Sequence, residues 1–123
     1  MIVKVVSPIL GFEKIEEFAF DKIDDFFSSL SSGDISFTLI DPLKIRDYEF
    51  EIPPFYKKLL DFQKDDNLKA YCIVVLQNPL EESMINFLAP ILINEDKKLL
   101  VQIALDEGKY KDYSIADKIK RYL

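Results

Sequence analysis

Apolar and polar residues alternate with a period of two over three short stretches of the chain, as expected of half-buried β-strands. These stretches are Glu16–Asp21, Ile35–Ile40 and Tyr48–Ile52. Two further stretches, the β-branched Ile2–Val6 and the apolar Tyr71–Gln77, are predicted as strands from their β-prone residues. The last stretch is the richest in β-prone residues and is expected to form a central strand. The alternation therefore predicts a protein built mainly from β-strands.

Two apolar runs in the C-terminal third flank a charged turn. Asn86–Asn94 and Leu99–Leu105 surround residues 95–98, and this arrangement predicts a β-hairpin. Pro90 cannot donate to a sheet, so we expect a bulge or an edge position in the first arm. Asn86 and Gln102 are amides inside apolar runs. Asn86 is expected to satisfy backbone groups near Pro90, with a contact to a partner as the alternative, and Gln102 raises the same question on the facing arm.

Helical spacing of apolar residues occurs twice. After Pro53-Pro54, apolar residues recur three and four positions apart, which predicts a short helix entered through proline. At the C-terminal end, Ile115, Ile119 and Leu123 predict a second helix, from Ser114 to Leu123, capped by Ser114. That apolar stripe is expected to pack on the protein's own sheet, with a partner as the alternative. Residues 24–30 fit either a helical turn or a strand.

The sum of these elements is six or seven short strands and two short helices. This combination predicts a mainly β fold, a small antiparallel barrel-like sheet with two short helices. The sequence contains no internal repeat and no linker, so we expect a single domain over residues 1–123.

Composition excludes most catalytic chemistry. The chain has no histidine, one cysteine and three scattered glycines, which removes histidine-based dyads, thiolate zinc sites and glycine-rich phosphate loops. Cys72 lies in an apolar strand and is expected to be a buried hydrophobe. We therefore expect no enzyme activity, no cofactor and no metal.

The net charge of −6 argues against direct nucleic-acid binding, which normally requires a basic face. An acidic surface is instead suited to docking on a basic protein. No apolar run approaches the ~20 residues of a membrane span, and residues 1–6 are too short for a signal peptide. The expected location is the cytoplasm, with no membrane partner.

Glu49 and Glu51 are paired carboxylates, which could suggest acid–base chemistry of the glycosidase type. They stand two residues apart on a predicted strand, so their side chains share a face. The favoured interpretation is the solvated face of an amphipathic strand, because nothing nearby would shift the pKa of one carboxylate.

Three ordered segments resemble the flagellar assembly factor FliW family. They are Pro8-Ile9-Leu10-Gly11-Phe12-Glu13; Ile35–Pro42 followed by Asp47–Ile52; and Asn86–Asn94 followed by Gln102, Leu105-Asp106 and Tyr110. The residues of this resemblance that we expect to be structural are Gly11, Phe12, Asp41, Pro42, Tyr48 and Gln102.

The resemblance implies a non-enzymatic regulator on a small β-barrel-like fold. Proteins of this family bind the translational regulator CsrA and relieve its repression of flagellin mRNA, and they also bind flagellin, which gives a partner switch. The alternatives are a flagellin-binding chaperone only, or a generic acidic β interaction module. The free chain is expected to be a monomer.

Candidate contact residues can be assigned to each implied partner. Glu49 and Glu51 would supply an acidic field beside a basic CsrA surface. An amphipathic flagellin helix would need apolar lining, for which the candidates are Phe26, Phe27 and the Pro90 bulge with Asn86 and Phe87. The helix from Ser114 could occupy the same groove as a plug within the chain.

Overall fold

Seven strands close into a barrel in the computed structural model, which describes residues 1–123. Each strand pairs antiparallel with the next one along the chain, and the last barrel strand returns to the first. An odd number of alternating strands leaves the first and last pointing the same way, so the closing pair must be parallel. The strands are β1 (Ile2–Ser7), β2 (Glu17–Lys22), β3 (Phe27–Ser32), β4 (Ile35–Ile40), β5 (Leu68–Val75), β6 (Met84–Asn94) and β7 (Leu99–Gln102).

Short elements complete the fold outside the barrel. A two-residue strand, β8 (Asp117–Lys118), pairs with the first residues of β6. One α-helix, α1 (Pro54–Leu59), begins at the predicted proline. Three 3₁₀ segments occupy Pro42–Lys44, Leu80–Glu82 and Ile119–Tyr122. None of the helical segments is both long and apolar enough to cross a bilayer.

The predicted fold class is confirmed, and so are most of the strands. The stretches that begin at Ile2, Glu16, Ile35 and Tyr71 each overlap a strand, although Glu16, Leu76 and Gln77 lie outside it, and the ambiguous residues after Asp24 enter β3 at Phe27. The hairpin of β6 and β7 is also present. Tyr71 pairs with Ile91 and Ile73 with Asn86, so residues 87–90 of β6 bulge opposite a single residue of β5.

Two sequence-based predictions were wrong. Residues 47–52 alternate as a strand would, but they form no strand pairing. The segment from Ser114 to Leu123 is not a helix, because it contributes β8 and a 3₁₀ turn instead. Of the three residues in the supposed stripe, Ile119 is buried, whereas Ile115 and Leu123 are exposed. This segment is therefore part of the folded structure and not a helical plug in a groove.

The two faces of the barrel wall support different cores. The inner core fills the barrel with residues from all seven strands, among them Val3, Phe18, Leu30, Leu39, Tyr71, Ile93 and Leu100. The outer core lies on the opposite face of β4, β5 and β6, and its members are Ile40, Tyr48, Cys72, Val74, Ile85, Phe87 and Ile119. Successive residues of one strand, such as Leu39 and Ile40, point to different cores, as strand geometry requires.

Candidate functional site

The residues 47–52 form an extended surface strip, which we call the acidic segment. This segment pairs with no strand, and hydrogen bonds between its backbone and two tyrosine hydroxyls hold it instead. The Glu49 N–H donates to the Tyr113 hydroxyl at 3.0 Å, and that hydroxyl donates to the Glu49 carbonyl at 2.8 Å. The Glu51 N–H donates to the Tyr110 hydroxyl at 3.0 Å. The two rings stack with centroids 5.7 Å apart, so the segment rests on a pre-formed aromatic support.

The side chains of Glu49 and Glu51 are exposed to solvent. Glu51 forms an ion pair with Lys109, whose ammonium lies 2.9 Å from a carboxylate oxygen. The hydrogen bond from Lys109 holds the pKa of Glu51 below its usual value, so this carboxylate stays ionised at neutral pH. The two carboxylates are therefore solvated, as the sequence suggested, but on an irregular segment and not on a strand.

Beneath the acidic segment lies the aromatic part of the outer core. The Tyr48 hydroxyl donates to the Phe87 carbonyl at 2.7 Å. The Arg46 guanidinium lies 5.1 Å from the centroid of the Phe87 ring and 4.9 Å from that of Tyr113, a cation–π arrangement. Cys72 is buried beside the Tyr48 hydroxyl, and desolvation raises the pKa of its thiol to about 12. Cys72 is thus a buried, inert side chain.

Two residues of the bulge that were candidates for partner contact have buried side chains. Phe87 is fully buried in the outer core, and Pro90 is buried as well. Their apolar side chains pack within the chain, so the predicted partner contact of these residues finds no exposed surface here and stays a prediction. Asn86 is half-buried, and its side-chain oxygen accepts the Leu88 N–H at 3.0 Å, which is the backbone role expected for it.

Gln102 connects the bulge to the turn at residues 8–12. Its side-chain oxygen accepts the Leu10 N–H at 2.8 Å, and its side-chain nitrogen donates to the Ala89 carbonyl at 3.2 Å. Gly11 in this turn has a φ of +89°, a conformation that favours glycine. Phe12 packs edge-on against Phe37 with centroids 5.0 Å apart. These motif residues therefore fix the position of two irregular segments.

Asp41 and Pro42 have a comparable role at the end of β4. The Asp41 carboxylate accepts the Leu43 N–H at 3.1 Å and thereby caps the 3₁₀ turn that starts at Pro42. Pro42 itself is buried. The pair directs the chain away from the barrel wall and over the outer core.

Phe26 and Phe27 follow a tight turn and point to different sites. Asp24 forms this turn, since one of its carboxylate oxygens accepts the N–H groups of both phenylalanines at 2.8 Å. Phe26 is 48% exposed and lines the mouth of the barrel. Phe27 lines a shallow cleft of about 190 Å³ with Ile23, Thr38 and Leu76, which we call the apolar cleft.

Sequence reasoning missed several residues that build these sites. Tyr113 and Arg46 support the acidic segment, and Ile23 and Leu76 complete the apolar cleft. One signal was present in the sequence: Tyr110 and Tyr113 stand three residues apart in an otherwise charged stretch. Aromatic residues in such a stretch need a packing partner, and the irregular segment opposite supplies it.

Comparison with known proteins identifies the family. The FliW protein family model matches residues 1–119. Flagellar assembly factor FliW 1 of Wolinella succinogenes is 41% identical over 126 aligned residues, which cover 100% of this chain and 98% of that protein. Flagellar assembly factor FliW of Campylobacter lari is 44% identical over 127 aligned residues, with 100% and 97% coverage. A crystal structure of the flagellar assembly factor FliW superposes with a TM-score of 0.83 at 25% identity, covering 95% of this chain and 84% of that one. The chain therefore belongs to the FliW family of flagellar assembly factors.

Proposed function

We propose that this protein is a non-enzymatic, cytoplasmic flagellar assembly factor that binds a CsrA-type translational regulator and flagellin in turn. In this proposal the free protein is a monomer that antagonises the regulator, and flagellin competes for it. Flagellin translation is thereby coupled to flagellin export. The observation that carries the proposal is the acidic segment, which presents Glu49 and Glu51 on a rigid aromatic support.

The CsrA contact is argued from charge. A regulator that binds RNA needs a basic surface, and the net charge of this chain is −6. Carboxylates docked beside such a surface raise the cost of bringing phosphate groups to it, even where the RNA site stays uncovered. Glu49 has no ion-pair partner within the chain, whereas Glu51 shares its charge with Lys109. Glu49 is therefore the stronger of the two contributors.

Charge reversal tests this contact. We expect Glu49→Lys with Glu51→Lys to abolish the release of RNA from the regulator, since attraction becomes repulsion at the same surface. The matched control reverses two exposed acids elsewhere, Glu17 on β2 and Asp34 in the β3–β4 turn, for the same change in net charge. Release is measured by fluorescence anisotropy of a labelled flagellin leader RNA. If the Glu49/Glu51 variant still released RNA normally, or if the control lost release equally, the assignment of the regulator contact to these two carboxylates would be wrong.

The flagellin contact is argued from apolar surface. The apolar cleft adjoins the outer core through Phe27, and its rim residues Ile23 and Leu76 are 60% and 53% exposed. An amphipathic helix needs such a groove for its apolar face. We place flagellin here and not at the Pro90 bulge, because the apolar side chains of the bulge are buried. The exposed cleft also favours the second candidate function, a flagellin-binding chaperone without a regulatory arm.

Calorimetry separates the two candidates. The full chain is titrated with purified CsrA-type regulator and, separately, with flagellin from the same cell. Binding of both, with flagellin displacing the regulator, supports the partner switch. Binding of flagellin alone leaves the chaperone function, and binding of neither overturns both. Leu76→Asp should weaken flagellin binding and leave regulator binding unchanged, because a buried carboxylate in an apolar contact is costly.

A further inference from the structure

A polar concavity of about 230 Å³ opens at one end of the barrel, and we call it the barrel mouth. It lies between the turn after β2 and the ends of β4, β5 and β6. Its floor is the end of the inner core, where Phe20 and Tyr71 pack with ring centroids 5.2 Å apart. Phe26 stands at its rim, 48% exposed. Mouths of β-barrels are places where ligands commonly bind.

Three polar groups that line the barrel mouth lack hydrogen-bond partners within the chain. Tyr71 and Ser28 are only 6% and 7% exposed as whole residues, and their hydroxyls reach the solvent of the mouth without a hydrogen bond to another residue. One carboxylate oxygen of Glu95 is buried without any hydrogen bond. The Lys69 ammonium is 4.0 Å from that oxygen, too far to donate to it. Polar groups in such positions are normally satisfied by a partner or by water.

The charges of the mouth leave a small excess of carboxylates. Four carboxylates, from Asp24, Asp25, Asp41 and Glu95, stand against three ammonium groups, from Lys22, Lys44 and Lys69. Lys22 lies 3.8 Å from Asp25, so that pair is internally compensated. Asp24 and Asp41 each use one carboxylate oxygen to accept backbone N–H groups. The pKa of Tyr71 is raised by burial first and then by the negative charges of Glu95 and Asp41, so the phenol stays neutral.

We propose that the barrel mouth binds an arginine side chain presented by a protein partner. A guanidinium carries five N–H donors in a planar fork, and the mouth offers the acceptors it needs in Glu95, Tyr71 and Ser28. The exposed ring of Phe26 adds a face on which a cation can stack. With four carboxylates against three lysines, the mouth has a formal net charge of −1, which favours a cation over an anion. The inference stands apart from the proposed function, because it uses neither the acidic segment nor the apolar cleft.

The experiment is a ¹⁵N–¹H NMR titration of the full chain with N-acetyl-arginine amide. We expect saturable shifts confined to the amides of residues 22–28, 69–71 and 95. The controls are N-acetyl-norleucine amide, which has no cation, and inorganic phosphate, which has the opposite charge. No saturable shifts at these amides, an equal response to norleucine amide, or saturable binding of phosphate there would overturn the proposal.

Two variants separate the named acceptors from general electrostatics. Glu95→Gln keeps the shape and removes the charge, and it should weaken arginine-amide binding about tenfold, since charge-assisted hydrogen bonds are the stronger ones. Tyr71→Phe should weaken it about threefold, because it removes only a neutral hydrogen-bond acceptor. Asp34→Asn, in the β3–β4 turn, is the matched control for charge and should leave the affinity unchanged. Equal weakening of arginine-amide binding in all three variants would show that Glu95 and Tyr71 have no specific role, and it would contradict the proposal.

Discussion

The inner and outer cores share three strands, β4, β5 and β6, but are held by different forces. Every strand of the barrel contributes to the inner core, and neighbouring strands fix the position of each residue by backbone hydrogen bonds. The outer core has strand residues on one side only. Its other side consists of irregular segments held by side-chain contacts, such as the Tyr48 and Tyr113 hydroxyls on backbone groups.

This difference matters for function because both proposed partner surfaces border the outer core. The acidic segment covers it, and the apolar cleft continues from it through Phe27. Segments secured by a few side chains open more readily than strands inside a closed barrel. The barrel is thus a stable base, and the layer around the outer core is the part that can adapt to partners.

The largest expected effect is in the inner core. Leu30→Ala should lower the free energy of unfolding by about 3 kcal/mol, because seven strands prevent the cavity from collapsing. Ile119→Ala in the outer core should cost less, about 2 kcal/mol, since its terminal segment can move to fill the space. Both side chains are at most 2% exposed, so the comparison is matched in burial. Urea unfolding of the two variants measures the difference, and an equal or greater loss for Ile119→Ala would contradict the comparison.

A smaller effect is expected from the hydrogen bond that anchors Tyr48. Tyr48→Phe keeps the ring but leaves the buried Phe87 carbonyl without its donor, at a cost of about 1–2 kcal/mol. Hydrogen exchange at residues 47–52 should accelerate more than exchange in β1–β4. Tyr56→Phe is the control, because the Tyr56 hydroxyl makes no hydrogen bond. Uniform acceleration over the whole chain would mean that the two cores are not separable.

The smallest effect concerns a loop outside both cores. Asp66 accepts hydrogen bonds from the Gln63 N–H, the Asn94 side chain and Lys97, and these lower its pKa from 3.8 to about 2. A carboxyl whose folded-state pKa is lowered stabilises the fold above its unfolded pKa. This stabilisation is therefore complete above about pH 4 and is lost as the pH falls towards 2.

Acid titration followed by NMR checks this prediction. In the wild type, amides of residues 61–67 should change before those of the barrel strands as the pH falls. In Asp66→Asn the acid-dependent step should be absent, because no carboxyl remains to titrate there. Simultaneous loss of the loop and barrel signals would show that the loop is not an independent unit.

The inner core could be predicted from the sequence because alternation directly records which residues face it. The same signal misled at residues 47–52, where Tyr48, Phe50 and Ile52 face inward although the segment pairs with no strand. Alternation reports an extended chain lying on a core, and it does not distinguish strand pairing from anchoring by tyrosine hydroxyls. The C-terminal stripe misled for a related reason, because three apolar residues with helical spacing carry no information on which of them are buried.

The candidate site was less predictable than the fold. Glu49 and Glu51 are surface residues, as the sequence indicated, but their support by Tyr110 and Tyr113 depends on contacts across about sixty residues. The burial of Phe87 could not be predicted, because exposed and buried aromatic residues look alike in a single sequence. The barrel mouth combines residues at or next to the ends of five strands, β2 to β6, which no local pattern brings together.

The parallel pairing of β1 with β7 has a consequence for synthesis. Lys4 lies beside Leu99, so the first strand to leave the ribosome must wait for the last barrel strand before the ring can close. Until then the growing chain is a curved sheet with open edges, which are sites for unwanted pairing with other chains. A chain that ends before Leu99 would keep those edges permanently. Premature termination should therefore yield an aggregating product, whereas the finished chain closes the barrel in one late step, the pairing of β1 with β7.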